Sequence, residues 1–485
     1  MSCTTLLVGK NATFDGSTMI ARNEDSGGTG FEPKKFIVVK PEEQPREYVS
    51  VISKVKIALP DDPMRYTAMP NADPKEGNWA AAGVNTAGVS MTATETLTSN
   101  ERVLSGDPLV KEGIGEEDIV TLVLPYIRSA RDGVKRLGGL LETYGTYEMN
   151  GIAFSDIDEV WWFETIGGHH WIARRVPDDC YAVGPNYFNL DEFDLEDACG
   201  EQKEYMASAD IKEFIAANHL DLSFEGDPFD ARTTFGSHSD ADHVYNTPRA
   251  WYIERYFNGS TYFWDGPHAD FTPRSDDIPF CMAPERKITV EDVKYVLSSH
   301  YQGTIYDPYA SSSEPLHKGE LRPIGINRNN FLSLTQIRPD KPESIRILEW
   351  IAMGSNVFNA FVPLYANVDK APDYFANGSA HVTTENFYWA NRIIAAMADA
   401  SFAKCKAHIE RYQLAVQTEG WKIIKETDRE FEALKHKTNA TAIRMQEKAN
   451  EKIAAMVREK TDELLNNVLR ERSNEMKICY ARADA

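Results

Sequence analysis

Pro372 is the last proline of a 485-residue chain, and beyond it only Gly378 and Gly420 interrupt a stretch rich in Ala, Glu, Lys, Arg and Met. Proline and glycine are the residues that break helices, whereas the others are strong helix formers. Residues 373–485 are therefore expected to form a mainly helical C-terminal region. One helix is predicted over about 384–418 and another over about 421–479, with a break near Thr438 and Asn439. Tyr388, Trp389, Ile393 and Ile394 read as a face that packs on the rest of the chain.

The residues before 373 have a different grain. Phe36–Val39, Tyr48–Leu59, Trp79–Val84 and Gly88–Thr94 read as strands, the last two joined by a turn at Asn85-Thr86-Ala87. A helix is predicted from Glu116 to Tyr144, carried by Ile119, Leu122, Val123, Tyr126 and Ile127. Strands then resume at Gly151–Ser155, Glu159–Glu164 and His170–Arg175. Blocks of strands followed by helices, rather than strict alternation, predict an α+β fold.

Cys3 is the residue with the most chemistry to offer. If Met1 and Ser2 are removed, its thiol and a free α-amine belong to one residue, so nucleophile and base share one framework. An α-amine titrates at about 7.7 to 8.0, which suits a base at neutral pH. Bringing a thiol down to about pH 7 takes roughly 2 kcal/mol, within reach of one nearby guanidinium plus the α-ammonium. The strand Cys3–Gly9, a turn at Asp15-Gly16-Ser17 and a returning strand Thr18–Asp25 predict a hairpin that brings Arg22 and Asp25 beside Cys3.

Six motifs support one resemblance. They are C-T-T-L-L-V-G-K from Cys3, D-G-S-T-M-I-A-R-N-E-D-S-G from Asp15, G-V-N-T-A-G-V-S-M-T-A-T-E-T from Gly83, V-G-P-N-Y-F from Val183, N-T-P-R-A-W from Asn246 and H-Y-Q-G-T-I-Y-D-P from His300. In these the chain resembles the cysteine dipeptidases of the N-terminal nucleophile hydrolase superfamily, relatives of bile salt hydrolases and penicillin V acylases. The resemblance spans residues 3 to about 365. It implies a four-layer αββα sandwich for a catalytic domain at 3–372, preceded by removable residues 1–2. It further implies that Arg22 supports the thiolate, that Asp25 holds the α-amine, that Asn85 and Asn186 donate to the oxyanion, and that Arg249 is a second active-site arginine. Ser2 departs from relatives in which cysteine directly follows the initiator methionine. Either Cys3 cuts its own preceding peptide bond or another peptidase trims Ser2.

The expected reaction is hydrolysis of unmodified dipeptides through a thioester on Cys3. Glu95, at the end of a strand that starts beside Asn85, is the candidate partner for a substrate ammonium. Two alternatives stand beside this reading: an N-acyl amide hydrolase with the same machinery, and a non-catalytic, secernin-like interaction protein. Thr92–Thr96 and the helical tail resemble the dipeptidase branch and favour it over the acylase, while intact Cys3, Arg22, Asp25, Asn85 and Asn186 count against the interaction protein.

Composition excludes other classes. A formal net charge of -22 and a pI near 5.0 argue against nucleic acid or an anionic membrane as partner. No run approaches the ~20 apolar residues of a membrane span, and no secretory signal is read at the start. Six cysteines without CxxC spacing fit a reducing cytoplasm. His238, Asp240, Asp242 and His243 crowd one loop but lack a metal-binding pattern, Gly27–Gly30 lacks a phosphate-loop signature, and no G-x-S-x-G occurs. No metal and no cofactor is expected; the assembly expected is a homo-oligomer.

Overall fold

In the computed structural model, residues 2–27, 30–93, 95–311 and 316–478 are described. The chain starts with the predicted hairpin, β1 (Ser2–Val8) and β2 (Thr18–Asp25). Its turn is set by Asp15, whose Oδ1 accepts from the Ser17 amide at 3.1 Å and the Ser17 hydroxyl at 2.6 Å, and by Gly16 at φ 80°. All eight residues of β2 are buried. A strand buried on both faces belongs inside a sandwich.

Two seven-stranded sheets form that sandwich. The first runs Cys281–Met282, Tyr181–Gly184, β1, β2, Asn329–Ile337, Ile347–Met353, Val362–Tyr365. The second runs Tyr205–Ala207, Trp171–Arg175, Val160–Thr165, Asn150–Ser155, Ser90–Thr92, Ala82–Val84, with Glu95–Thr96 also on Asn150–Ser155. β2 lies against Asn150–Ser155 and Ser90–Thr92 of the second sheet. Helix Ala130–Tyr144 covers the second sheet, while Thr247–Phe257, Val290–Leu297 and the C-terminal helices cover the first. The result is the αββα order.

The pleat sorts side chains between the layers. Leu7 and Ile20 join the cluster of Trp162 and Ile172 between the sheets. Leu6, Val8, Met19 and Ala21 join the cluster of Trp251, Val293, Ile394 and Val457 on the helical side. Period-two alternation then places Cys3, Arg22 and Glu24 toward the second sheet, and Asp25 toward the helices.

Several element boundaries differ from the sequence reading. The segment Tyr48–Leu59 is a hairpin of Glu47–Val49 and Lys56–Ala58, turned at Lys54 with φ 69°. Strand Ala82–Val84 starts late because Trp79 and Ala81 have φ of 46° and 60°, which no ladder accepts. The next strand is Ser90–Thr92, and Thr94 lies outside the described residues. The 116–144 helix is two helices, Glu116–Val123 and Ala130–Tyr144, interrupted by a 3-10 turn at Leu124–Tyr126 that contains Pro125. Ser129 caps the second, accepting from the Asp132 amide.

In the tail a short helix Asp373–Ala376 precedes three long ones, Phe387–Asp399, Phe402–Glu432 and Asn439–Ser473. The chain passes through Gly420 without a break. That glycine packs on Pro363, where a Cβ would approach the ring to 2.8 Å, so it serves close approach rather than termination. The break near Thr438 is real, with Thr438 capping the last helix. Cys479 lies outside the described residues.

Candidate active site

Cys3 and Glu24 are cross-strand partners, as are Thr5 and Arg22, so Arg22 is the diagonal neighbour of Cys3 on the same face. Arg22 Nη2 donates to Cys3 Sγ at 2.7 Å and to Glu116 Oε1 at 2.8 Å, and Nη1 donates to the Ala81 carbonyl at 3.2 Å. Cys3, Arg22, Glu24, Asp25 and Arg249 are each 0% exposed. Burying that much charge is costly unless it is paired, so such clusters mark chemistry more often than stability.

Pairing is correspondingly dense. Glu24 meets Lys34 Nζ at 2.6 Å, and that ammonium also donates to the Trp79 carbonyl at 3.1 Å. Glu116 opens its helix, and its amide donates to Glu148 Oε1 at 2.8 Å. Burial, and then the charge of Glu116, push the Glu148 carboxyl up to about 7.

From the helical side, Arg249 reaches down from the first turn of Thr247–Phe257. It donates to the Cys3 carbonyl, to Thr4 Oγ1 at 2.8 Å and to Asn186 Oδ1 at 2.9 Å, while its Nε holds the Tyr245 carbonyl at 2.8 Å. Asn186 Oδ1 also accepts from the Cys3 backbone nitrogen at 3.0 Å. The carbonyl of Asn186 is held in turn by Asn246 Nδ2 at 3.0 Å. Cys3, Arg22, Asn186 and Arg249 are thus brought into direct contact.

Asp25 and Asn85 are placed differently from the expectation. The Asp25 carboxylate accepts from Arg322 Nη2 and Asn329 Nδ2, while the Cys3 nitrogen points to Asn186. The pleat explains this, since Asp25 is cross-strand from Ser2 and on the face away from the thiol. Asn85 is a correction. Its Nδ2 donates to the carbonyls of Leu124 and Ile127, both at 2.8 Å, and its Oδ1 accepts from the amides of Ala87 and Val89. With both amide hydrogens committed it locks a turn, and it lines a cavity of about 650 Å³ at Ile337 and Ile347, the far end of the strands from Cys3. Glu95 pairs with Gly151 in the second sheet, but its side chain lies outside what is described.

Reading the sequence missed Glu116, Arg322 and Asn246. Asn246 stands inside N-T-P-R-A-W, three residues before Arg249, which is a usable signal. Glu116 and Arg322 come from distant segments and carry none. Among the described residues no cluster of three His, Cys, Asp or Glu is placed to hold a metal ion, and His243 pairs with Asp276 at 2.9 Å.

The model of peptidase family C69 matches residues 2–415. A dipeptidase of Bifidobacterium longum is 58% identical over 447 residues, covering 90% of this chain and 84% of the relative. Dipeptidase A of Lactobacillus helveticus is 45% identical, covering 90% of each. Probable dipeptidase B of Lactococcus lactis is 48% identical, covering 93% of this chain and 92% of its own. Among solved structures, penicillin V acylase from Agrobacterium tumefaciens aligns at 12% identity over 75% of this chain and 86% of its own, with a TM-score of 0.31. With its family match spanning most of the sequence and relatives this similar along nearly their whole length, the chain belongs to peptidase family C69.

Proposed function

We propose that this chain is a cysteine dipeptidase that works through a thioester on Cys3 once Met1 and Ser2 are gone. The observation that carries the reading is the guanidinium of Arg22 at 2.7 Å from the Cys3 sulfur, sealed from solvent and fixed by Glu116. A positive charge at that distance favours the thiolate, the form that attacks. The freed α-amine of Cys3 takes the thiol proton and delivers it to the leaving amine. Asn186, its oxygen already engaged by Arg249, supplies its Nδ2 to the developing oxyanion. Asn186 Oδ1 receives the ammonium that loss of Ser2 creates, and Asp25, cross-strand from Ser2 and held by Arg322 and Asn329, adds a negative charge nearby. Water then attacks the thioester, returning the thiol and releasing the second amino acid.

Product analysis on a panel of dipeptides and N-acyl amino acids, with intact mass of the same active sample, tests this. Free amino acids from dipeptides and a chain starting at Cys3 are the expected results. Full activity with Ser2 retained removes the self-base mechanism. Preference for N-acyl substrates replaces the dipeptidase by an acylase, and inactivation by a chelator that zinc or manganese reverses removes the thiol altogether.

A further inference from the structure

Beside Asp25 the structure gathers more positive charge than the protein neutralises. Arg322 donates to Asp25 and to the Pro323 carbonyl at 2.9 Å. Half-buried Arg328 donates to Tyr245 Oη at 2.6 Å, and among the described residues no carboxylate lies within ion-pair distance of it. Its Nε is shielded from solvent and has no hydrogen-bond partner among the described residues. The Tyr245 ring lies 5.2 Å from the guanidiniums of both Arg249 and Arg322, joining this group to the Cys3 site. Burial first, then the like charge of Arg328, push Arg322 down to about 9. Asp25 pairs with Arg322 and no described carboxylate pairs with Arg328, which leaves a place for one more anion.

Its position suits a particular anion. The Arg328 carbonyl accepts from the Ser26 amide at 3.0 Å, and Ser26 is two residues past Glu24, the partner of Cys3. That sets the Arg328 backbone about 7 Å along the sheet from Cys3 and, with β2 between them, two strands or about 10 Å across it. A dipeptide attacked at its peptide bond carries its carboxylate one residue, about 4 Å, beyond the reacting carbon. That residue and a hydrogen bond of about 3 Å are met by the Arg328 side chain, which extends to Tyr245 beside Arg249 and so closes the remaining distance.

We propose that Arg328, backed by Arg322, receives the C-terminal carboxylate of the substrate and so measures a chain of two residues. The inference rests on the dipeptidase reading above and adds to it the determinant of substrate length. A longer peptide presents a neutral amide where the carboxylate belongs, leaving the cations unpaired.

The test compares an unmodified alanine dipeptide with its C-terminal amide, using the mature wild-type chain, Arg328→Gln and Arg328→Lys. Wild type should prefer the acid. In Arg328→Gln the acid-to-amide ratio of kcat/KM should fall about 10- to 100-fold, mostly through KM, and Arg328→Lys should restore most of it. An unchanged ratio in Arg328→Gln, or equal handling of acid and amide by wild type, overturns the inference while leaving the dipeptidase intact. A wild-type chain that splits neither substrate instead sinks the dipeptidase reading itself.

Discussion

β2 and its neighbour Asn329–Ile337 run side by side from Thr18 opposite Ile337 to Asp25 opposite Asn329, with buried Arg338 just past the first end and buried Arg22, opposite Ser333, in the half that leads to the second. At the Ile337 end, Arg338 meets Asp428 of the C-terminal helices through Nη1 at 2.6 Å and Nη2 at 3.3 Å, while Nη2 also donates to the Ile345 carbonyl and Nε to the Arg346 carbonyl. Tyr365 Oη adds a bond to Asp428 at 2.6 Å. At the Asp25 end, Arg22 divides one nitrogen between Glu116 and a thiol. Both sites bury an arginine, yet one satisfies its charge with carboxylate, carbonyls and tyrosine-supported structure alone and the other keeps a thiol among its partners. The first ties the helical tail to the sheet. The second holds the thiol proposed as nucleophile, with Glu24 and Glu116 as the carboxylates that balance its arginine.

The comparison breaks most sharply at Cys3. Cys3→Ala should abolish turnover, a loss on the scale of about 10⁶ in kcat, while thermal unfolding stays near wild type. Residual turnover close to wild type would move the nucleophile elsewhere. At the opposite end, Arg338→Met should leave Asp428 buried and unpaired and cost about 3–5 kcal/mol in denaturant unfolding, with activity per folded molecule retained. If that variant instead loses activity at full stability, the division of labour between the ends is wrong.

A smaller effect is expected from Arg22→Gln. The loss of a charged hydrogen bond to sulfur should lower kcat/KM about 10- to 100-fold, and the rise of rate with pH should move upward because the thiolate is less favoured. A pH–rate profile distinguishes this from simple loss of folded protein, since Glu116 also loses its partner.

The smallest effect concerns pH and stability at the catalytic end. Glu117 and Glu148 are both raised to about 7, chiefly by burial, above the ordinary carboxyl value of about 4.3. The folded state therefore holds these protons more tightly than the unfolded chain. Their contribution to stability is whole below about pH 4.3 and is lost as pH rises through 7. Calorimetry should show a Tm that falls between pH 5 and pH 8, with a shallower fall in Glu148→Gln; an identical slope in that variant would remove Glu148 as a source.

Much of this was legible in the sequence because it is local. The hairpin needs only Asp15-Gly16-Ser17 and two apolar runs, and its register alone puts Arg22 diagonal to Cys3. Helices in the tail follow from the lack of proline. Two misreadings had the same cause, a local signal with two physical meanings: Gly420 is a contact with Pro363 rather than a stop, and Asn85 is a turn lock rather than a donor. Asn186 is also a turn asparagine, and nothing in its immediate neighbours separates it from Asn85.

What the sequence by itself determined was the thiol, the strand that carries it, the arginine one pleat away and the helical character of the tail, because short-range geometry decides all four. The partners of those groups were decided by tertiary structure. Glu116 reaches Arg22 across 94 residues, Arg249 reaches Cys3 across 246, and Arg322 reaches Asp25 across 297. No periodicity records such pairings, since each depends on two layers closing over a strand and forcing every buried charge to find an opposite within a few ångströms.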